Sequence, residues 1–325
     1  MLLEHRVAVV IPCYRVERHV ADVIRGLPEW VDAVVAVNDA SPDGTGAVLD
    51  GLAGGRVSVV HRARNGGVGA AMADGFRRAL ELGADIVVKV DGDGQMDTSR
   101  LADLVEPIAA DSADYAKGNR FLHTRELGRM PALRLVGNIA LTFLTKLASG
   151  YWHVFDPQNG YLAIHADYLR LLDLDRLATR RYFFENEMLI QLNVEQARVL
   201  DVPMPAFYGT EESSLRIGRV LTYFPPNLVR GFLWRLWQRH VMRDFSVVVP
   251  LYLMGSVLFV FGFVFGLYVW VRALREGVPA TTGTVMLSVL PFVVGVQMLL
   301  QALLFEVLQS PRASQPSRRR QSRRG

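Results

Sequence analysis

The stretch KVDGDGQMD, residues 89–97, sets three carboxylates, Asp91, Asp93 and Asp97, within seven residues. Asp91 and Asp93 stand two apart at the end of an apolar run, and in an extended backbone both side chains then point the same way. Two carboxylates so close repel each other unless protons or a cation intervene. A hard divalent ion meets that need, because Mg2+ is bound through one or two carboxylates together with phosphate oxygens of a ligand. Gly92 and Gly94 let the backbone turn tightly beside such a ligand. Taken by itself, the motif also reads as a solvated acidic turn. A second stretch, RARNGGVGAA, sets Arg62 and Arg64 beside Asn65–Gly69, whose N–H groups at a helix start would suit an anion. An ordinary glycine-rich turn explains that stretch equally well. Together the two point to a metal-bound, phosphorylated ligand.

The elements that must position these groups follow from hydrophobic pattern. Apolar runs at Val7–Ile11, Ala33–Val37, Val57–Val60 and Ile86–Val90 alternate with helical patterns such as GAAMADGFRRALELG. Strands alternating with helices predict an α/β domain with a mostly parallel sheet covered on both faces. The loops at the carboxyl ends of such strands form the binding crevice. Those loops read PCYRVE, NDASPDGT, RARNGGVGAA and DGDGQMD. A dinucleotide fold would need G-x-G-x-x-G in the first turn, which here has no glycine, and this argues against a dehydrogenase.

At 325 residues with a net charge of +4, the chain is long enough for about two domains, and its charge is unevenly spread. Residues 245–271 and 278–305 carry no charged side chain, and each run exceeds the roughly 20 residues needed to cross a bilayer. Arginine-rich blocks flank the pair: RGFLWRLWQRHVMR before it, and a tail with six arginines and no acid after it. The positive-inside rule places both termini in the cytoplasm. No leader is evident in MLLEHRVAVVIP, and the single cysteine, Cys13, fits a reducing compartment. The expected layout is a cytosolic domain at 1–222, an amphipathic juxtamembrane segment at 223–244, two transmembrane helices at 245–308 and a disordered basic tail at 309–325, in a bacterial cell membrane. The helix of residues 131–150 also has an apolar face, suited to either the bilayer interface or the core. The basic blocks border apolar spans, so their expected partner is lipid and not nucleic acid.

The ordered set IPCYRVE, VNDASPDGT, RNGGVGAA and DGDGQMD closely resembles the donor half of family 2 glycosyltransferases, which have the GT-A fold and use nucleotide sugars. KGNRF, DPQNGY, FENEML and the C-terminal apolar pair extend the likeness to the polyprenyl-phosphate glycosyltransferases of the dolichol-phosphate mannose synthase type. The resemblance implies that Pro12, Tyr14 and Glu17 border the nucleotide, that Asp39 holds its base or ribose, and that Asn65 lies beside it. It implies that Asp91, Asp93 and Gln95 ligate Mg2+ or Mn2+, and that Arg120 grips the acceptor phosphate. Asp156 would act as a base or order the acceptor loop, Glu187 would support the substrate site, and Arg216 would contact phosphate. Asp97 is expected to cap the following helix. His153 and His165 have no metal-ligand spacing and are read as structural.

The family pattern is broken in places. Arg15 replaces the usual asparagine, the acid of that motif falls one place late at Glu17, Asn38 replaces the first of two aspartates, and ESSL followed by Arg216 replaces ESKL. The reaction implied is inverting transfer of a hexose from a UDP- or GDP-sugar to an undecaprenyl or dolichyl phosphate, and a homo-oligomer is compatible with the sequence. Transfer to another lipid or glycan hydroxyl, or non-catalytic nucleotide-sugar binding, are the alternatives. A processive polysaccharide synthase would need Q-x-x-R-W and more spans, and the chain has neither.

Overall fold

The computed structural model describes residues 4–120, 132–204 and 217–313. Seven strands form one sheet: β1 Val7–Cys13, β2 Ala33–Asn38, β3 Val57–His61, β4 Ile86–Lys89, β5 Tyr115–Asn119, β6 Leu162–His165 and β7 Val199–Pro203, in the order β3-β2-β1-β4-β6-β5-β7. β6 runs antiparallel to both its neighbours, and the remaining pairs are parallel. In register, Cys13 sits beside Asn38 and Val10 beside Lys89, so β1, β2 and β4 end together and their loops share one edge.

Around the sheet lie α1 Val20–Arg25, α2 Thr45–Leu52, α3 Val68–Glu81, α4 Leu101–Ala109, α5 Ala132–Ser149, α6 Ala166–Leu169, α7 Leu174–Ala178 and α8 Phe184–Val194. Strand alternation sorts the core into two layers. Val9, Ile11 and Val34 pack with Val20, Leu49, Leu104 and Ile108 of α1, α2 and α4. Val10, Val35 and Val87 pack instead with Met72 and Phe76 of α3 and Met188 and Leu189 of α8. Both faces are covered, which is why these strands read as continuous apolar runs. Each fully buried Val or Leu contributes about 1.5–3 kcal/mol.

The chain divides into two compact units, one of Met1–Phe232 with Pro311–Gly325 and one of Leu233–Ser310. The division falls inside α9, Ile217–Trp237, because that helix continues past residue 222, where the sequence pattern changes, and leads into a π-helical turn at Gln238–Arg243. Val229, Leu233 and Trp237, four residues apart on one stripe of α9, are all exposed.

The second unit contains α10, Val248–Glu276, and α11, Thr282–Leu308, both long and apolar enough to cross a membrane. Gly277, with φ +64°, ends α10 in the left-handed conformation, and the Thr281 side chain accepts the Thr284 N–H to start α11. Within this unit Arg235 Nη2 lies 2.5 Å and His240 Nε2 2.6 Å from the buried carboxylate of Glu306. These pairs match the one acid in α11 with two basic side chains.

Candidate active site

At the shared strand edge the loops enclose a cavity of about 580 Å³, lined among others by Pro12, Tyr14, Arg15, Asp39, Asn65 and Glu185. A second cavity of about 180 Å³ is lined by Gln95, Arg100 and Arg120. Asp91, Asp93 and Gln158 line both. Asp91 and Asp93 therefore stand where a large compartment meets a small one that also holds Asp97, Arg100 and Arg120.

The acidic motif is built locally. The Asp93 carboxylate accepts the Gln95 N–H at 3.0 Å, closing the turn that follows β4. Asp97 accepts the Ser99 N–H at 3.0 Å and caps the helical stretch beyond, as expected of it. Among the described residues no group of three His, Cys, Asp or Glu side chains forms a ready-made metal cage. Two carboxylates and an amide oxygen on one cavity wall are nevertheless hard donors, and they leave the rest of an octahedral shell to ligand oxygens. That donor set suits Mg2+ or Mn2+ carried with a phosphorylated ligand.

Two buried lysines stand behind the wall. Lys89 Nζ lies 2.7 Å from Asp91 Oδ1, 3.2 Å from the Gly160 carbonyl and 3.6 Å from Glu185 Oε1. Lys117 Nζ donates to the neighbouring Asn159 carbonyl. Burial alone would lower the pKa of Lys89, but the carboxylates of Asp91 and Glu185 more than offset it and hold the ammonium above its ordinary range. Burial dominates for Lys117 and lowers it to about 8, although Glu185 and Asp156 oppose the change. Consecutive carbonyls of the loop before β6 are thus held by lysines from the strands on either side of it.

Arg120 follows β5 and makes two hydrogen bonds to Asp156, Nε to Oδ2 at 2.8 Å and Nη2 to Oδ1 at 3.2 Å. Asp156 is 1% exposed, whereas the Arg120 side chain is 42% exposed. Both oxygens of Asp156 are engaged by the Arg120 guanidinium. Beside them Asp201 accepts from Asn119 Nδ2 and from the Phe155 N–H, both at 2.8 Å, and burial raises its pKa.

Other expected residues have different partners. Asp39 lines the large cavity, but its carboxylate accepts Arg62 at 2.5 Å and the N–H groups of Gly66 and Gly67 at 2.9 and 2.7 Å. The amides expected to face an anion therefore bind Asp39, and Asn65 Nδ2 donates to the Asp39 carbonyl at 3.2 Å. Glu17, expected at the nucleotide, accepts the Gly44 N–H at 3.0 Å at the start of α2 and does not line the cavity. Its displaced position turns it toward a helix terminus that has no side-chain cap of its own. Glu187 is 1% exposed and ion-paired with Arg176 and Arg180; Glu185, two residues earlier, is the acid that faces the cavity. His153 Nε2–H donates to the Val199 carbonyl, and the His165 side chain accepts the Asp167 N–H at the start of α6, both structural contacts. Arg216 and the tail beyond residue 313 lie outside the described residues.

Three cavity residues, Arg15, Gln158 and Glu185, lie inside the quoted motifs without an expected site role, and two, Arg181 and Tyr182, belong to no motif singled out in the sequence. Arg181 carries φ +36°, an unusual conformation for a side-chain-bearing residue, beside Gly67 at the start of α3. Nothing in local spacing announces Arg181 and Tyr182, because α7 and α8 bring that segment to the site from about ninety residues beyond the acidic motif.

A mostly parallel sheet with carboxylates at the carboxyl end of β4, where a large cleft meets a small pocket, is the arrangement of the GT-A fold. The profile described as Glycosyl transferase family 2 matches residues 8–172, and the chain belongs to that family and is a glycosyltransferase. It is 32% identical over 230 residues to the UDP-N-acetylglucosamine–dolichyl-phosphate N-acetylglucosaminyltransferase of Methanococcus voltae, covering 66% of this chain and 90% of that one. It is 30% identical over 237 residues to the undecaprenyl-phosphate mannosyltransferase of Micrococcus luteus, covering 72% of this chain and 96% of that one. The fold is similar to that of glucosyl-3-phosphoglycerate synthase from Mycobacterium tuberculosis in complex with Mn2+, UDP-glucose and phosphoglyceric acid. That likeness has a TM-score of 0.52 at 19% identity and covers 71% of this chain and 80% of that one.

Proposed function

We propose that this glycosyltransferase moves a hexose from a nucleoside diphosphate donor to a polyprenyl phosphate, with inversion, on the cytoplasmic face of a bilayer. The observation that carries the reading is the pair of cavities meeting at Asp91 and Asp93, one roomy enough for a nucleotide sugar and the other containing a carboxylate-braced arginine. The names of the two relatives, which act on dolichyl and undecaprenyl phosphate, support the acceptor class.

Asp91, Asp93 and Gln95 would hold Mg2+ or Mn2+, and such an ion when bound neutralises the charge that builds on a departing diphosphate. Pro12, Tyr14 and Arg15 border the nucleotide end of the large cavity, which Asp39, held by Arg62, also lines. Arg120, steered by Asp156, holds the acceptor phosphate in the small cavity. A phosphate monoester, with a second pKa of about 6, is already anionic at neutral pH, so the nucleophile needs orientation more than deprotonation. α10 and α11 anchor the chain, and the arginine-rich flanks keep both ends cytoplasmic.

The test is to incubate the purified full-length protein with radiolabelled UDP- and GDP-hexoses, Mn2+ or Mg2+, and a short polyprenyl phosphate. Label entering the organic phase only when lipid phosphate and metal are both present is expected. Asp93→Ala should abolish it, and so should a chelator. Transfer that persists in chelator would overturn the metal role; transfer to a polyprenol lacking phosphate would overturn the acceptor assignment.

A further inference from the structure

We infer that Lys89 is a positioning residue of the metal centre: held beneath the strand edge, it fixes which oxygen of Asp91 faces the cation and thereby governs affinity for Mn2+ or Mg2+. The inference rests on the reading that Asp91 and Asp93 bind the ion, and it assigns a role to a buried lysine at the edge of the large cavity.

The sequence places the lysine by alternation. Lys89 precedes Asp91 by two residues and shares a sheet face with Val87, which packs in the layer covered by α8. Glu185 stands at the start of α8, and the Gly160 carbonyl lies in the loop leading to β6, so three oxygens from three segments converge on one ammonium. An ammonium has three N–H groups and no acceptor; in the 1% exposed Lys89 one goes to Asp91 and one to the Gly160 carbonyl, while Glu185 adds an ion-pair contact at 3.6 Å. Burying that charge costs several kcal/mol unless it is paired, so the arrangement is closely constrained.

Two consequences bear on the cation. Asp91 Oδ1 is engaged by the ammonium, which leaves Oδ2 as the oxygen to offer; Asp91 would ligate through one atom in a fixed rotamer. Lys89 also offsets one of the three carboxylates Asp91, Asp93 and Glu185, leaving a net double negative charge to meet a dication. Gly160 makes room for this. A methyl group there would lie 2.8 Å from Asp91 Oδ2 and would also strike the Lys89 ammonium. A residue that orients a ligand in this way changes metal affinity by about 10- to 100-fold when removed.

The experiment is Mn2+ titration by electron paramagnetic resonance on the purified full chain in detergent, with UDP present, for wild type, Asp93→Asn, Lys89→Met and Gly160→Ala. Circular dichroism and thermal melting of each sample identify unfolded variants. Lys89→Met and Gly160→Ala are expected to weaken Mn2+ binding about 10- to 100-fold, and Gly160→Ala does so with every charge retained. If Asp93→Asn binds Mn2+ as wild type does, the metal reading itself fails and this inference goes with it. If Asp93→Asn loses Mn2+ while both Lys89→Met and Gly160→Ala bind as tightly as wild type, or more tightly, only the role of Lys89 is overturned. Should Lys89→Met not fold, Gly160→Ala decides alone.

Discussion

Arg120 and Asp156 form a pair in which one partner is buried and the other reaches solvent, and such a carboxylate directs its arginine. Asp156→Asn keeps the volume and removes the charge, so KM for polyprenyl phosphate should rise about tenfold, the equivalent of about 1.4 kcal/mol, with donor KM unchanged. Initial rates at varied lipid concentration check this. A fall of about 10²-fold or more in kcat with unchanged lipid KM would indicate a general base instead. Lys117 supports a second prediction at this scale. Its pKa falls from 10.5 to about 8 on burial, so between those values the unfolded chain binds a proton that the folded chain has released. Folding stability from this group therefore rises with pH from about 8 towards 10.5, and below about 8, where both states are protonated, its burial penalty is constant. Melting of wild type and Lys117→Met at pH values on either side of that window should show the wild type gaining relative to the variant at the alkaline end.

The strands were legible in the sequence because burial on both sheet faces writes itself as unbroken apolar runs; β1 to β4 fall within two residues of those runs. The place of Asp91 and Asp93 in a cavity wall was legible because the motif is local to one strand end. Partners distant in sequence were not: Glu17 caps α2, the Asp39 carboxylate holds loop amides, and Glu185 rather than Glu187 faces the cleft. Those choices depend on which side chain from 20 or more residues away arrives first at an unsatisfied N–H or guanidinium, and spacing does not encode that. In the hairpin, the packing of α10 on α11 depends on glycine. A side chain on Gly262 would meet the Phe292 nitrogen at 2.5 Å and the Ser288 carbonyl at 2.7 Å, both backbone atoms that cannot swing aside. Gly262→Leu should therefore separate the helices and destabilise the pair by about 1–3 kcal/mol, read as earlier thermal aggregation of the detergent-solubilised protein. A melting profile identical to wild type would show that the contact does not hold the pair.

On the scale of the whole molecule, a polar catalytic unit and an apolar hairpin make opposite demands on solvent. Many large apolar side chains of α10 and α11 are exposed, including Leu253, Phe263, Trp270, Leu290 and Leu304. An apolar surface of that extent is stable in hydrocarbon and aggregates in water. The protein should therefore stay with membranes through an alkaline carbonate wash and leave them only with detergent, as immunoblotting of the fractions would show. Release by carbonate would mean the hairpin lies on the bilayer without crossing it.

The contact of Arg235 with Glu306 bears on how the chain is made. Their 71-residue separation means that the guanidinium leaves the ribosome long before its carboxylate exists. Until then the guanidinium lacks this carboxylate, and the acid of α11 is the last of the pair to be made. Closure of this clasp must therefore come late in synthesis, and losing the acid would take from a fully buried guanidinium the carboxylate it pairs with.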